Sequence, residues 1–126
     1  AVLQDENQDK ELRLSAIRYF GRYAYQPALE TLLELVGQKD PEKWEYATVS
    51  ASALASYPGE RVVSALKEAL HSANWYVRYA AAASLEALQV DHAELMDVIA
   101  GNDRFAREML LYRLESREME KAGAPG

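Results

Sequence analysis

The sequence predicts an all-α fold, a right-handed α–α superhelix (solenoid) of helical hairpins with about seven helices. Apolar residues recur at three- and four-residue spacing along most of the 126-residue chain, which is typical of amphipathic helices. No alternating run of β-branched residues lies between turn signals, so we expect no sheet. A similar helical pattern returns roughly every 30 residues, as it does in proteins built from stacked repeats.

The stretch 74–91 shows the helical pattern most clearly. Asn74 can cap a helix by accepting a hydrogen bond from a backbone N–H group that lacks a helical partner. One apolar stripe follows at helical spacing: Val77, Ala81, Leu85 and Leu88. Four consecutive alanines favour the helix and leave room for the close approach of another one. We therefore predict a helix over 75–89 that packs tightly against a neighbour.

The other helices are predicted from similar stripes between caps, prolines and glycines. In chain order they cover about 9–24, 27–36, 41–57, 60–72, 92–100 and 102–121. The apolar stripes are Leu12, Ala16, Phe20 and Tyr23; Leu29, Leu32, Leu33 and Val36; Val63, Leu66 and Leu70; Leu95, Val98 and Ile99; and Ala106, Leu110 and Leu114.

Two start signals among these helices have specific consequences. Asp40 before Pro41 is an N-cap followed by a proline at the first helical position, three residues earlier than in the other units. We therefore expect a longer first helix there and a local irregularity in stacking. Asp91 and Glu94 have the spacing of a capping box, in which each side chain accepts from a backbone N–H group of the other residue.

The helices pair into long–short hairpins that repeat along the chain. Four anchor positions are spaced by 34, 31 and 29 residues: Leu12, Tyr46, Val77 and Ala106. We expect one domain over 9–121 that buries each hairpin against the next. Its units cover about 9–39, 40–73 and 74–101, followed by a terminal helix at 102–121. Residues 1–8 and 122–126 are expected to be flexible.

The run Val77-Arg78-Tyr79-Ala80-Ala81-Ala82-Ala83-Ser84-Leu85 resembles the first helix of a HEAT repeat, in particular the short bacterial HEAT-like repeats of the phycobilisome-lyase type. Weaker copies stand at Leu12-Arg13 and Ala106-Arg107. The resemblance extends over about residues 9–118. It implies an α-solenoid that acts as a protein-interaction scaffold, although a minority of such proteins resemble bilin lyases or DNA-base excision enzymes.

The resemblance also implies roles for an arginine that recurs after the anchors, at Arg13, Arg78 and Arg107. In the family, this arginine commonly ties adjacent repeats to an acidic or amide side chain. Asp9, Asn74 and Asp103 precede these three arginines by four residues, which places each of them one helical turn away. The second unit departs from this pattern because it has alanine at the equivalent position.

Tryptophan recurs two residues before the anchors, at Trp44 and Trp75. Packing between repeats is favoured for both, because large aromatic side chains are mostly buried. The alternative is an exposed aromatic ridge that anchors a partner. Tyr19 and Tyr23 lie late in the first helix, where no earlier unit covers them. They therefore form a candidate exposed patch for an interaction.

Composition excludes several kinds of site and partner. The chain has no cysteine, which excludes disulfides and thiolate metal sites and fits a cytoplasmic location. Its net charge is −6, which argues against binding to nucleic acid. No apolar run is long enough to span a membrane. The two histidines, His71 and His92, have no partner at ligand spacing, so we expect neither a metal nor another cofactor.

A row of acidic residues on the second helices is the main candidate site. Glu34, Glu68 and Asp97 share one register, with Glu30 and Glu94 nearby. In HEAT-like arrays the second helices line the concave face, so this row would attract a basic protein or peptide. The alternative is an ordinary solvated helix face. Catalysis by two of these carboxylates is not supported by any helper residue.

These observations predict a non-enzymatic protein–protein interaction scaffold that presents a curved helical surface. We expect it to be a fragment of a longer or processed protein, because the chain begins without Met or a signal pattern. Its oligomeric state stays open. Two alternatives are an enzyme of nucleic-acid or bilin chemistry and a purely architectural dimerisation module, the latter favoured by the uncovered tyrosines of the first helix.

Overall fold

The computed structural model describes the backbone of residues 10–123 and the side chains of residues 10–116. This part of the chain contains seven α-helices and no strand: α1 (Lys10–Arg22), α2 (Leu29–Val36), α3 (Trp44–Ala53), α4 (Glu60–Ala69), α5 (Trp75–Ala87), α6 (His92–Ile99) and α7 (Arg104–Gly123). Single 3-10 turns lie at Gln26–Ala28, Pro41–Lys43 and Leu54–Ser56. The predicted all-α fold is therefore confirmed.

The helices form two layers of a solenoid. The first helices of the units, α1, α3, α5 and α7, pack side by side in chain order. Each second helix lies against the first helix of the following unit, so α2 contacts α3, α4 contacts α5 and α6 contacts α7. The hydrophobic core lies between the two layers and joins every unit to the next.

Small residues allow the first helices to approach closely. Ala51 of α3 and Ala81 and Ala82 of α5 are completely buried where these two helices meet. The Ser84 hydroxyl, also buried, donates a hydrogen bond to the Ala51 carbonyl oxygen at 2.6 Å. The alanine run therefore permits the tight contact that the sequence predicted.

The buried face of α1 differs from the predicted one. Leu14 and Ile17 are buried, whereas Leu12 is 49% exposed. In the other units, the anchor residue is buried against the preceding first helix, as Val77 is against α3. No first helix precedes α1 in the described part of the chain. Leu12 is therefore exposed because no described helix covers this side of α1.

The buried face of α4 is rotated slightly from the predicted one: Leu66 and Leu70 are buried as predicted, but Val62 is buried in place of Val63. Val62, Leu66 and Ala69 are buried and follow helical spacing, whereas Val63 is only partly buried. The rotation follows from packing against α5 and α2 together, which the sequence alone does not give. Val63 instead borders a groove between α4 and α6.

The structure differs from the prediction in detail at two helix starts. Asp40 caps as expected and accepts from the Glu42 N–H at 3.0 Å, but it begins a 3-10 turn rather than an α-helix. The expected extra length of this helix is present as the 3-10 turns on either side of α3. The predicted capping box at Asp91 is wrong, because the Glu94 N–H bonds to the Asp91 carbonyl oxygen and not to its side chain.

The two ends of the chain fall mostly outside the described residues. The prediction for residues 1–8 concerns this undescribed part, as does that for 124–126. The last helix continues through Gly123, two residues beyond its predicted end. Pro125 disfavours helical geometry chiefly at the residue before it, so the helix can reach Gly123. No helix within the described range has the length and apolar character that crossing a bilayer requires.

Candidate functional site

Helices α2, α4 and α6 place the predicted acidic residues along one layer of the structure. The five side chains are all exposed: Glu30, Glu34, Glu68, Glu94 and Asp97. They are exposed because the apolar stripes of these helices, centred on Leu32, Leu66 and Leu95, turn inward to the core. Below, this exposed surface of α2, α4 and α6 is called the second-helix face.

Arg61 of α4 interrupts the acidic row at its α2 end. Its guanidinium donates two hydrogen bonds to the Glu30 carboxylate, at 2.6 and 3.0 Å. These bonds, together with the positive charge, hold the pKa of Glu30 below its ordinary value. Both side chains are well exposed, so solvent screens the pair. Glu30 is therefore partly neutralised on the surface.

Lys67 interrupts the row at its α6 end. Its ammonium group lies 2.9 Å from an Asp97 carboxylate oxygen and donates to the Glu94 carbonyl oxygen at 2.7 Å. The hydrogen bond from Lys67 lowers the pKa of Asp97. Lys67 thus ties α4 to α6 by a charged and a neutral contact.

The predicted row of acidic residues therefore has two cations beside it, and three of its carboxylates lie outside any described ion pair. Among the described residues, Glu34, Glu68 and Glu94 make no salt bridge, whereas Glu30 and Asp97 do. The sequence prediction missed Arg61 and Lys67. Lys67 precedes Glu68 in the chain and could have been noticed, but its pairing with Asp97 depends on the rotation of two helices.

Two depressions meet at Glu68. A groove of about 600 Å³ lies between α4 and α6 and is lined by Lys67, Glu68, Glu94 and Asp97, among others. A cleft of about 430 Å³ lies between the α2–α3 and α4–α5 connections, with Trp44 in its lining. Glu68 borders both. An extended ligand could therefore pass this carboxylate while contacting both depressions.

Arg78 and Arg107 bind backbone carbonyl groups and not the acidic or amide side chains that the family resemblance implied. Asp9, which precedes Arg13 by four residues, lies outside the described residues. Arg78 donates to the Ser72 carbonyl oxygen at 2.9 Å, and Arg107 donates to the Gly101 carbonyl oxygen at the same distance. Asn74 is instead occupied as the N-cap of α5, where it accepts from two backbone N–H groups. The arginines thus fix the turn between a second helix and the next first helix.

The arginines also join neighbouring units through aromatic rings. The guanidinium of Arg13 lies 4.8 Å from the centre of the Tyr46 ring, and that of Arg78 lies 5.3 Å from the centre of the Phe105 ring. Each ring belongs to the following unit. These cation–π contacts therefore provide the link between repeats that was expected from the arginines.

The two tryptophans differ in exposure. Trp44 is partly buried and its ring centre lies 5.4 Å from that of Tyr76 in the next unit. Trp75 is 50% exposed, so the expected packing between repeats does not hold for it. Its ring stacks on Tyr79 of the same helix at 5.1 Å. The difference arises because α7 does not cover Trp75 as α5 covers Trp44.

Tyr19 and Tyr23 lie exposed on α1, with their ring centres 5.0 Å apart. Leu12 continues this apolar surface toward the start of the helix. The three side chains lie on the side of α1 that a preceding unit would cover.

His71 takes part in a polar contact at the end of α4. Its Nδ1 atom lies 2.7 Å from an Asp103 carboxylate oxygen, and Asp103 also caps α7 by accepting from the N–H groups of Phe105 and Ala106. The contact with His71 is the main cause of the lowered pKa of Asp103, followed by the Ala106 hydrogen bond. Across residues 10–116, no three histidine or acidic side chains are arranged to hold a metal ion.

The profile of the family described as HEAT repeats matches residues 1–99, which includes helices α1 to α6. A comparison with curated proteins gave no match. Members of this family commonly mediate interactions between proteins. Since the match extends over most of the chain and agrees with the helical stack, the chain belongs to the HEAT-repeat family.

Proposed function

We propose that this protein is a non-enzymatic interaction module whose second-helix face docks a basic protein segment. The observation that carries the proposal is the placement of Glu34, Glu68 and Glu94 on successive helices, exposed and outside any described ion pair. Their negative potential would attract cationic side chains and raise the association rate. The groove beside Glu68 and Glu94 would give such a segment a surface to contact.

Arg61 and Lys67 would make docking selective for a pattern of charge. They lie on the second-helix face beside Glu30 and Asp97, where a continuous run of positive side chains on the partner would meet repulsion. A partner with basic residues separated by neutral ones would avoid both cations. Because the carboxylates stand on packed helices, few main-chain groups need to become ordered on binding.

The test is the affinity for a fluorescein-labelled peptide of alternating lysine and glycine, measured by fluorescence anisotropy at low ionic strength. Replacing Glu34→Lys and Glu68→Lys together should weaken binding by roughly tenfold or more, because two attractive charges become repulsive. Glu42→Lys with Glu115→Lys is the matched control, since it changes the net charge equally at exposed sites on other elements. Equal weakening by both pairs would mean that only net charge matters.

Binding to wild-type protein should also fall steeply as salt is raised, because the carboxylates are exposed to solvent. Circular dichroism and thermal unfolding would check that each variant remains folded. If the folded Glu34→Lys/Glu68→Lys variant bound the peptide with unchanged affinity, the second-helix face would not be the docking site.

Self-association through α1 is a second candidate function, favoured by the exposed surface of Leu12, Tyr19 and Tyr23. The equivalent anchor positions of later units are buried by a neighbouring helix, so this surface has the form of a helix-packing site. Sedimentation velocity would show a dimer that Leu12→Ser with Tyr19→Ser converts to a monomer. A wild-type chain that stays monomeric at high micromolar concentration would contradict this candidate.

A further inference from the structure

The junction between α5 and α7 is open where the preceding junction is closed. At the α3–α5 junction, Trp44 contacts Tyr76. The repeat spacing makes Trp75 and Phe105 the equivalent pair at the α5–α7 junction. These two rings make no such contact, because Trp75 stacks on Tyr79 and Phe105 lies against Arg78. A slot of about 300 Å³ is left between them, lined by Trp75, Arg78, Phe105, Glu108, Met109 and Tyr112.

The walls of this slot are aromatic and exposed. Trp75, Phe105 and Tyr112 are 50%, 64% and 60% exposed, whereas Met109 at the bottom is buried. Exposed aromatic side chains in such a cluster are uncommon on a protein surface unless they bind something. The slot lies on the first helices, so it is separate from the second-helix face.

The Trp75 wall is held in place before any ligand binds. Its ring stacks on Tyr79 at 5.1 Å and meets the edge of Tyr76 at 5.2 Å. Arg113 in turn donates to the Tyr79 hydroxyl and to the Glu86 carboxylate, both at 3.2 Å. A ligand would therefore meet a formed surface, and less side-chain entropy would be lost on binding.

The charged side chains around the slot already have polar partners. The Arg78 guanidinium is bonded to the Ser72 carbonyl oxygen, and Glu108 forms an ion pair with Arg104 at 2.9 Å. One guanidinium does not supply the basic surface that a phosphate chain requires. Its positive charge also opposes an ammonium ligand between the rings. The slot therefore suits neither a phosphate chain nor an ammonium group, which favours an uncharged ligand.

The donors at the rim suit a peptide backbone. The indole N–H of Trp75 and the hydroxyl of Tyr112 make no hydrogen bond to another described residue, and both can donate. An extended polyproline II segment offers carbonyl oxygens with no internal partner, and proline-rich segments dock into grooves lined by aromatic side chains. A docked helix would need a longer apolar groove to hold its successive anchors.

We propose that the slot between α5 and α7 binds an extended, proline-containing segment of a partner protein. Proline rings would pack between Trp75 and the pair Phe105 and Tyr112, while the rim donors would bond to the peptide carbonyl oxygens. This site would work independently of the acidic surface on the other layer.

Decaproline is the probe, and the two tryptophans make its binding site visible by NMR. The wild-type protein gives two indole N–H signals, and Trp75→Phe assigns them by removing one. Decaproline should shift the Trp75 signal and leave that of Trp44 in place. A glycine–serine peptide of the same length should shift neither. The proposal would be overturned if decaproline shifted neither indole signal or only that of Trp44. It would also be overturned if oligothymidine shifted the Trp75 signal and decaproline did not.

Anisotropy with labelled decaproline supplies the second readout. Trp75→Ala and Tyr112→Ala should each weaken binding by about tenfold, as expected for central aromatic contacts. Tyr23→Ala is the matched control because it removes an exposed aromatic ring from α1. Binding that is unchanged by Trp75→Ala in a folded protein would overturn the proposal. The Glu34→Lys/Glu68→Lys variant should bind decaproline with wild-type affinity. The proposals for the slot and for the second-helix face are therefore tested separately.

Discussion

At the scale of single residues, the Tyr57 hydroxyl joins the first two units through the main chain. The side chain is buried, and its hydroxyl donates to the Phe20 carbonyl oxygen at 2.8 Å and accepts from the Tyr25 N–H at 3.0 Å. Phe20 lies in the last turn of α1, where carbonyl groups lack helical partners. Tyr57 therefore satisfies the end of α1 and positions the turn that leads to α2.

Tyr57→Phe should lower the free energy of unfolding by about 0.5–1.5 kcal/mol, because it removes the hydrogen bonds made by the partly buried Phe20 carbonyl and Tyr25 N–H groups. Urea unfolding would measure the loss. Tyr112→Phe is the control, since it removes an exposed hydroxyl that has no partner among the described residues. Similar stability for the Tyr57→Phe variant and the wild type would show that the hydroxyl has no structural role.

Asp103 links the cap of α7 to the end of α4. Its lowered pKa means that the folded state favours the carboxylate over the acid. The stabilisation is therefore present above the ordinary aspartate pKa of 3.8 and is lost as the pH falls through the lower folded value. Asparagine can cap the helix equally well but does not titrate in this range.

The stability of the wild type relative to Asp103→Asn should therefore be larger above about pH 4 than below it, where the carboxylate becomes protonated. Urea midpoints measured from pH 7 to pH 2 would give this difference. Asp91→Asn serves as the control, because the Asp91 side chain makes no capping bond. A difference that stays constant over the acid range would rule out ionisation of Asp103 as its source.

At the scale of elements, the contact between α1 and α3 depends on a glycine. A Cβ atom at Gly21 would lie 2.9 Å from the Ala53 Cα and 3.0 Å from its Cβ, closer than packed atoms approach. Backbone atoms of α3 cannot rotate away, so the helices would have to separate. Gly21 is therefore required for the spacing of the first two units.

Gly21→Ala should lower the free energy of unfolding by roughly 1–2 kcal/mol, since the clash exceeds the helix propensity gained. Gly37→Ala is the matched control, because its added Cβ would meet no atom closer than 3.5 Å and should change stability by less than about 0.5 kcal/mol. Chemical denaturation would compare the two. If Gly21→Ala proved the more stable variant, the close contact would not exist in solution.

The sequence predicted the elements better than their faces. Apolar periodicity and the caps at Asn74 and Asp103 were enough to locate the helices, because both signals are local. Whether Val62 or Val63 is buried depends on how α4 rotates against two neighbours. Leu12 is exposed because no helix in the described part of the chain packs against that side of α1. Both features depend on how the helices pack against one another, and the local apolar pattern of one helix does not determine that packing.

The same distinction applies to the candidate sites. The acidic register on the second helices was predictable from the repeat, since equivalent positions recur at known spacing. The pairing of Glu30 with Arg61 was not, because it joins side chains 31 residues apart on different helices. The open slot beside Trp75 was also missed. Its only sequence signal was the recurrence of aromatic residues near the anchors, which equally fits buried packing.

At the scale of the whole molecule, two layers of helices present two chemically different surfaces. The second-helix face carries carboxylates with two cations among them, and the first helices carry aromatic rings paired with arginines. The core between them is continuous and made largely of small and branched aliphatic side chains. This arrangement would allow one partner to be held on each side of the stack.

The most direct test of docking on the second-helix face is the affinity of Lys67→Gln for the lysine–glycine peptide at low ionic strength. Removing Lys67 leaves Asp97 without its cation, so the second-helix face gains net negative charge next to Glu68. Binding should therefore become about twofold to fivefold tighter, in line with the energy of exposed charge pairs. A general loss of structure cannot produce tighter binding. Unchanged or weaker binding by folded Lys67→Gln protein would contradict docking on this face.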